Sequence, residues 1–247
     1  MTLIYILLAS IITSLISLLG ILVLTVSKNN LNRLIMFLVS FSAGTLIGDT
    51  FFHLLPEAVA KNNGLELWIT LVAGVLLFFV LEKIVHWRHC HLSPNENHPH
   101  PVGMMNLVGD GLHNLIDGFI IAGSFLVDFR LGIVTTIAVI AHEIPQELGD
   151  FGTLLHAGYK PKRALALNLL SASFSVIGAV LAWFFGTNSQ GFIDLIIPLT
   201  AGSFIYIATA DLIPELKKEV SLLSGLRQFA GIILGLGIML LLKFIIA

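Results

Sequence analysis

Eight runs of about twenty or more mostly apolar residues make up most of this chain, at 3–26, 34–55, 67–87, 102–127, 131–155, 164–185, 192–213 and 225–246. A run of that length crosses a hydrocarbon core of about 30 Å as an α-helix. The apolar residues are contiguous rather than alternating, so helices and not barrel strands must satisfy the backbone in lipid. Composition agrees: 56% of the 247 residues are apolar and 11% charged, against roughly 25% charged in a soluble domain. No gap between runs is large enough for a separate soluble domain. The expected fold is all-α and integral to the membrane, one polytopic domain over 1–247 with eight transmembrane helices.

The first run has 24 uncharged residues and no basic segment before it. A secretory signal has a charged start and an apolar stretch of only about 7 to 15 residues, so this run is expected to be a retained helix. Cys90 is the single cysteine, which excludes an internal disulfide and a thiolate cage within one chain. Basic residues near helix ends stay on the cytoplasmic side. Threading eight spans collects Lys28, Arg33, Lys83, Arg88, Lys160, Lys162, Arg163, Lys217, Lys218 and Arg227 on one side and Lys61, Arg130 and Lys243 on the other, ten against three. Both termini are expected outside the cytoplasm, with the chain in the plasma (inner) membrane.

The sequence repeats itself. Ala43-Gly44-Thr45 followed by His53-Leu54-Leu55-Pro56-Glu57 returns 158 residues later as Ala201-Gly202-Ser203 followed by Asp211-Leu212-Ile213-Pro214-Glu215. The second and seventh spans run in opposite directions, so helices 1 to 3 and 6 to 8 form an inverted repeat flanking helices 4 and 5. Inverted repeats around a midplane site are a recurring plan of secondary transporters.

The flanked pair carries the chemistry. Helix 4 holds Asp110, His113, Asn114 and Asp117, and helix 5 holds His142, Glu143, Gln146, Glu147 and Asp150, inside otherwise apolar spans. An ionisable group at the bilayer centre costs at least about 2.5 to 3.5 kcal/mol, which makes such a cluster a functional site by default. His113 and Asp117 are four residues apart, as are His142 and Gln146, so each pair shares a helical face. Asn114 and Glu143 lie one position round and could line the adjoining part of the cleft. Imidazole and carboxylate donors without sulfur suit Zn²⁺, and leave Fe²⁺, Mn²⁺, Co²⁺ and Cd²⁺ as candidates. Zn²⁺ is expected as transported substrate, with no resident cofactor. Asp117 and Glu143 together neutralise one divalent ion, which favours one tightly held metal at a time; Glu147, one turn beyond, could serve an adjoining exit position. Pro145 lacks an N–H and displaces the carbonyl of Ala141, so helix 5 should kink or loosen beside His142. Gly118 is expected to give helix 4 a similar weak point.

His113-Asn114-Leu115-Ile116-Asp117-Gly118 and His142-Glu143-Ile144-Pro145-Gln146-Glu147-Leu148-Gly149-Asp150 resemble the fourth- and fifth-helix signatures of the ZIP family of metal-ion transporters. Gly48-Asp49 with His53-Leu54-Leu55-Pro56, and Asp211-Leu212-Ile213-Pro214-Glu215, are similar to further stretches of its helices 2 and 7. The resemblance implies eight helices, outward termini and metal uptake toward the cytoplasm. It also marks a departure, because relatives carry His or Glu where this chain has Gln146. Some use a carboxylate from helix 6 to help hold a second metal, where this chain offers only Asn168, Ser171, Ser173 and Ser175.

Outside the pair, Asp49, His53 and Glu57 could form an entrance that collects cations, with Asp211 and Glu215 as the inner counterpart. His53 could equally be an interfacial ring held by a hydrogen bond, and Asp110 and Asp150 could be salt-bridged or solvated at helix ends. The loop at about 86–101 holds His86, His89, Cys90, His91, His98 and His100, a composition that fits weak metal capture or a flexible connection. The Gly44 to Gly48 and Gly231 to Gly235 spacings allow close helix contact, more often within a bundle than in a homodimer, which stays a candidate. The expected partners are divalent metal ions and the lipid bilayer, with no nucleic acid. An enzyme is the rival class: His142-Glu143 begins the H-E-x-x-H pattern of zinc proteases, but Gln146 stands in place of the second His. An intramembrane zinc hydrolase using His113, Asp117 and His142 is the alternative, and a metal sensor using the same ligands without turnover is a third.

Overall fold

The computed structural model describes residues 1–25, 27–86, 101–188, 190–217 and 221–246, and every regular element among them is helical. Eight long helices follow the eight apolar runs. α1 covers Thr2–Thr25 and tightens to a 3-10 turn over Ile16–Ile21. α2 passes through Lys28–Asp49, a π turn at Thr50–Leu54, and Leu55–Lys61. α3 is Leu65–His86, α4 is Pro101–Val127 and α5 is Phe129–His156. α6 joins Pro161–Ala172 to Phe174–Asn188. α7 passes through Gln190–Tyr206, a second π turn at Ile207–Leu212, and Ile213–Leu216, and α8 is Leu222–Ile246. Six of the eight are long and apolar enough to cross a membrane; α4 and α5 are the exceptions. With 27 and 28 residues they reach about 40 Å at 1.5 Å per residue, and fall short in hydropathy because they carry the ionisable groups.

The stretch from Pro56 to Gly64, read from sequence as a connection, is helical as far as Lys61, and α7 likewise continues to Leu216. The cause is the π turn before each proline. Leu55 N–H reaches back five residues to the Thr50 carbonyl, and Ile213 N–H to the Ala208 carbonyl. The wider turn adjusts the hydrogen-bond register just where Pro56 and Pro214 have no N–H to give. Proline is then well placed in the first turn of the segment that follows.

Both bonds obey the 158-residue offset, since 50 and 55 become 208 and 213. Helix packing repeats in the same register. A Cβ on Gly235 would lie 2.3 Å from the Phe41 oxygen and 2.8 Å from the Thr45 nitrogen, and one on Gly74 would lie 2.1 Å from the Leu199 oxygen and 3.1 Å from the Ser203 nitrogen. Phe41 and Thr45 precede Leu199 and Ser203 by 158, and Gly74 precedes Gly235 by 161. The α2–α8 and α3–α7 contacts are therefore one packing solution used twice. Both glycine spacings read as candidate dimer faces are occupied within the chain, where a Cβ on Gly44 would meet the Ile232 oxygen at 2.3 Å. Gly118 is a contact point rather than a weak one, because its Cβ would fall 1.9 Å from the Ser175 oxygen of α6.

α2, α3, α7 and α8 form one set of close neighbours and α1, α4, α5 and α6 another; the sets meet where α5 lies on α2 and α4 on α7. Large apolar side chains of α1, α3, α6 and α8, among them Leu8, Trp68, Phe184 and Phe229, face outward, as lipid contact requires. The middles of α4 and α5 are buried at the junction of the sets.

Candidate metal centre

His113 and His142 sit near the midpoints of α4 and α5; Asp117 comes one turn after His113, and Glu143 directly follows His142. His142 Nε2 lies 3.1 Å from Asp117 Oδ2 and 3.6 Å from Glu143 Oε1. His113 Nε2 lies 3.7 Å from Asp117 Oδ2, 3.5 Å from Glu143 Oε1 and 3.2 Å from His142 Nε2. A tetrahedral ion with bonds of about 2.0 to 2.2 Å has ligand-to-ligand edges of about 3.3 to 3.6 Å. The five distances run from 3.1 to 3.7 Å and so bracket the edges of such a cage.

The hydrogen bonding fits a cation between these atoms. His142 Nδ1 is 3.1 Å from the Ala138 carbonyl, which can only accept, so this nitrogen donates and Nε2 is the one turned to the other three donors. The side chains of Asp117 and Glu143 are fully buried, and none of their four carboxylate oxygens accepts a hydrogen bond. Buried charge left in this way is costly, and a divalent ion would neutralise the two carboxylates together. The walls are aromatic: Phe78 meets the His113 ring edge-on at 5.3 Å and Phe204 the His142 ring at 5.9 Å.

The amide nitrogens of Gln146 and Asn114 turn to Asp110, while the Asn114 amide oxygen is buried without a partner. The Asn114 amide donates to Asp110 Oδ1 at 2.8 Å, and the Gln146 amide to the same oxygen at 3.4 Å. Glu143, set from sequence in the adjoining part of the cleft, is the residue beside both imidazoles. Glu147 accepts a 2.6 Å hydrogen bond from Asn168 of α6, and Asp150 a 3.0 Å bond from Asn106. Asp110, Asp150 and Gln146 border a cavity of about 380 Å3 that also touches His113, Tyr206 and Asp211. This cavity lies toward the N-terminal half of α4 and the C-terminal half of α5. Tyr206 on α7 donates a short hydrogen bond to Glu82 on α3 at its wall. Toward the other ends of α4 and α5 the quartet is covered by Ile120, Ile121, Val134 and Ala138, which pack in the main core.

His53 Nε2 lies 3.0 Å from the Met239 carbonyl on α8, whereas Asp49 is fully buried with neither oxygen hydrogen-bonded. Glu57 pairs with Lys61 at 3.4 Å and lines, with His53 and Lys243, a pocket of about 310 Å3. Glu215 sits in the last turn of α7. His89, His91, His98 and His100 lie outside the described residues.

Sequence reasoning missed Ser42. Helix α5 stays continuous through Pro145, and the Ala141 carbonyl freed by the proline receives a short hydrogen bond from the Ser42 hydroxyl of α2. A hydroxyl in an apolar span was the available signal, although the partner depends on how α2 and α5 cross.

An eight-helix membrane bundle with an inverted repeat and a buried cluster of four candidate metal donors is the form of a polytopic membrane protein. The description ZIP Zinc transporter matches residues 1–102 and 100–243, and the chain belongs to the ZIP family. It is 34% identical over 224 residues to zinc transporter ZIP13 of Pongo abelii, covering 83% of this chain and 65% of that protein. Zinc transporter ZIP13 homolog of Drosophila melanogaster is 28% identical over 277 residues, covering 84% of this chain and 77% of the relative. Zinc transporter YKE4 of Saccharomyces cerevisiae is 31% identical over 226 residues, covering 78% and 64%. The chain spans just under two thirds of the length of the Pongo abelii and Saccharomyces cerevisiae relatives, which are named zinc transporters.

Proposed function

We propose that this chain carries Zn²⁺ across its membrane through the His113, Asp117, His142 and Glu143 quartet and releases it toward the cytoplasm. The observation that carries the reading is the close clustering of four donor atoms within 4.8 Å of one another, two of them on carboxylates that accept no hydrogen bond. Fe²⁺, Mn²⁺, Co²⁺ and Cd²⁺ accept the same donors and are candidate cargo. All four donors come from one chain, so each copy holds a complete centre.

The direction rests on two supports that agree. The cavity reaches His113 from the side where the ten basic residues gather, the cytoplasmic side by their distribution. On that side Asp110 and Asp150 border the cavity, and an ion leaving the quartet could pass to them. Asp49, buried on the opposite half, is the corresponding station for entry. The termini then lie outside the cytoplasm, with the plasma (inner) membrane as the site of action.

Two experiments test the reading together. Purified protein in proteoliposomes should take up zinc, and replacing Cys90 by Ser allows single cysteines to report topology. A cysteine within 160–163 is expected to be labelled only from the cytoplasmic side, and one at Lys61 only from outside. The reverse pattern would overturn the direction, and absence of uptake by the wild-type chain would overturn transport.

A further inference from the structure

We propose that Ser42 is a positioning residue for the metal centre: its hydroxyl holds the turn of α5 that carries His142 and Glu143. The need arises within α5. Pro145 has no N–H to give to the carbonyl four residues back, at Ala141, and Ala141 is buried one residue before His142. An orphaned carbonyl at this depth is costly in lipid surroundings. Ser42, fully buried on α2, donates to it. The same hydroxyl lies 2.7 Å from the Leu38 carbonyl of its own helix. It has one proton and two acceptors in reach, so α2 loses no donor if α5 moves away, whereas Ala141 loses its cap. The bond therefore stabilises one placement of the α5 turn, and through it the distances from His142 and Glu143 to the donors on α4.

This inference rests on the quartet being a zinc site, and the experiment separates the two. Zinc affinity is measured by chelator competition on the full chain in nanodiscs, with thermal stability followed in parallel. Ser42→Val, of nearly the same shape as Thr but without the hydroxyl, is expected to weaken zinc binding about fivefold, the order of one lost hydrogen bond. Ser42→Thr keeps the donor and should stay within about twofold of wild type. In a Pro145→Ala background residue 145 regains an N–H for the Ala141 carbonyl. There Ser42→Val should change affinity by less than about twofold. Equal affinities for the Thr and Val variants would overturn the proposal, as would the same loss in both backgrounds. A shift in melting temperature without a shift in affinity would also overturn it, reducing Ser42 to interhelical packing. Should Pro145→Ala fail to fold, the Thr and Val pair decides alone. Failure of wild type to bind zinc would instead remove the quartet reading.

Discussion

Asp117 and Glu143 lie within two helical turns of Asp110, Glu147 and Asp150, yet the two groups of carboxylates are held differently. The first two face imidazole rings and accept no hydrogen bond at any oxygen. The other three each receive an N–H from a side-chain amide, of Asn114, Asn168 and Asn106 respectively. A buried carboxylate without a donor is stable as an anion only beside positive charge, whereas one amide already offsets part of the desolvation of each of the others. The contrast separates a place where an ion is held from a surface over which it passes.

Breaking the first group should have the largest effect. Asp117→Ala or His113→Ala is expected to abolish zinc flux in proteoliposomes while the protein still inserts, and wild-type flux in a well-expressed variant would remove that residue from the centre. Disturbing the second group should do less to binding than to movement. Glu147→Gln or Asp110→Asn is expected to leave equilibrium zinc affinity within about threefold while lowering maximum flux several-fold. A loss of affinity as large as that of Asp117→Ala would erase the distinction between the groups. The smallest effect is expected at Gln146, whose amide is turned to Asp110. Gln146→His should change zinc affinity by less than about threefold; a larger gain in calorimetric titration would mean that residue 146 reaches the metal.

How far the sequence reached differs along the chain in the same way. The eight helices were legible because lipid leaves the backbone so few choices, and the repeat in α2 and α7 was visible in their shared Leu-Pro-Glu and Ile-Pro-Glu endings. His113 with Asp117 followed from spacing along one unbroken helix. The nearness of Glu143 to both imidazoles did not, because it depends on how α5 is rotated against α4. The π turns were not legible, because they show only in the wider hydrogen-bond register before Pro56 and Pro214. The amide partners of Glu147 and Asp150 come from other helices, Asn168 of α6 and Asn106 of α4, and only the fold brings them together.

X-ray absorption at the zinc edge of the metal-loaded protein tests the central claim most directly. The quartet predicts four nitrogen or oxygen ligands at about 2.0 to 2.2 Å, no sulfur, and the outer-shell signal of two imidazoles. His142→Ala should reduce that signal to one imidazole. A zinc bound only by oxygen, or an imidazole signal unchanged in both His113→Ala and His142→Ala, would contradict the account.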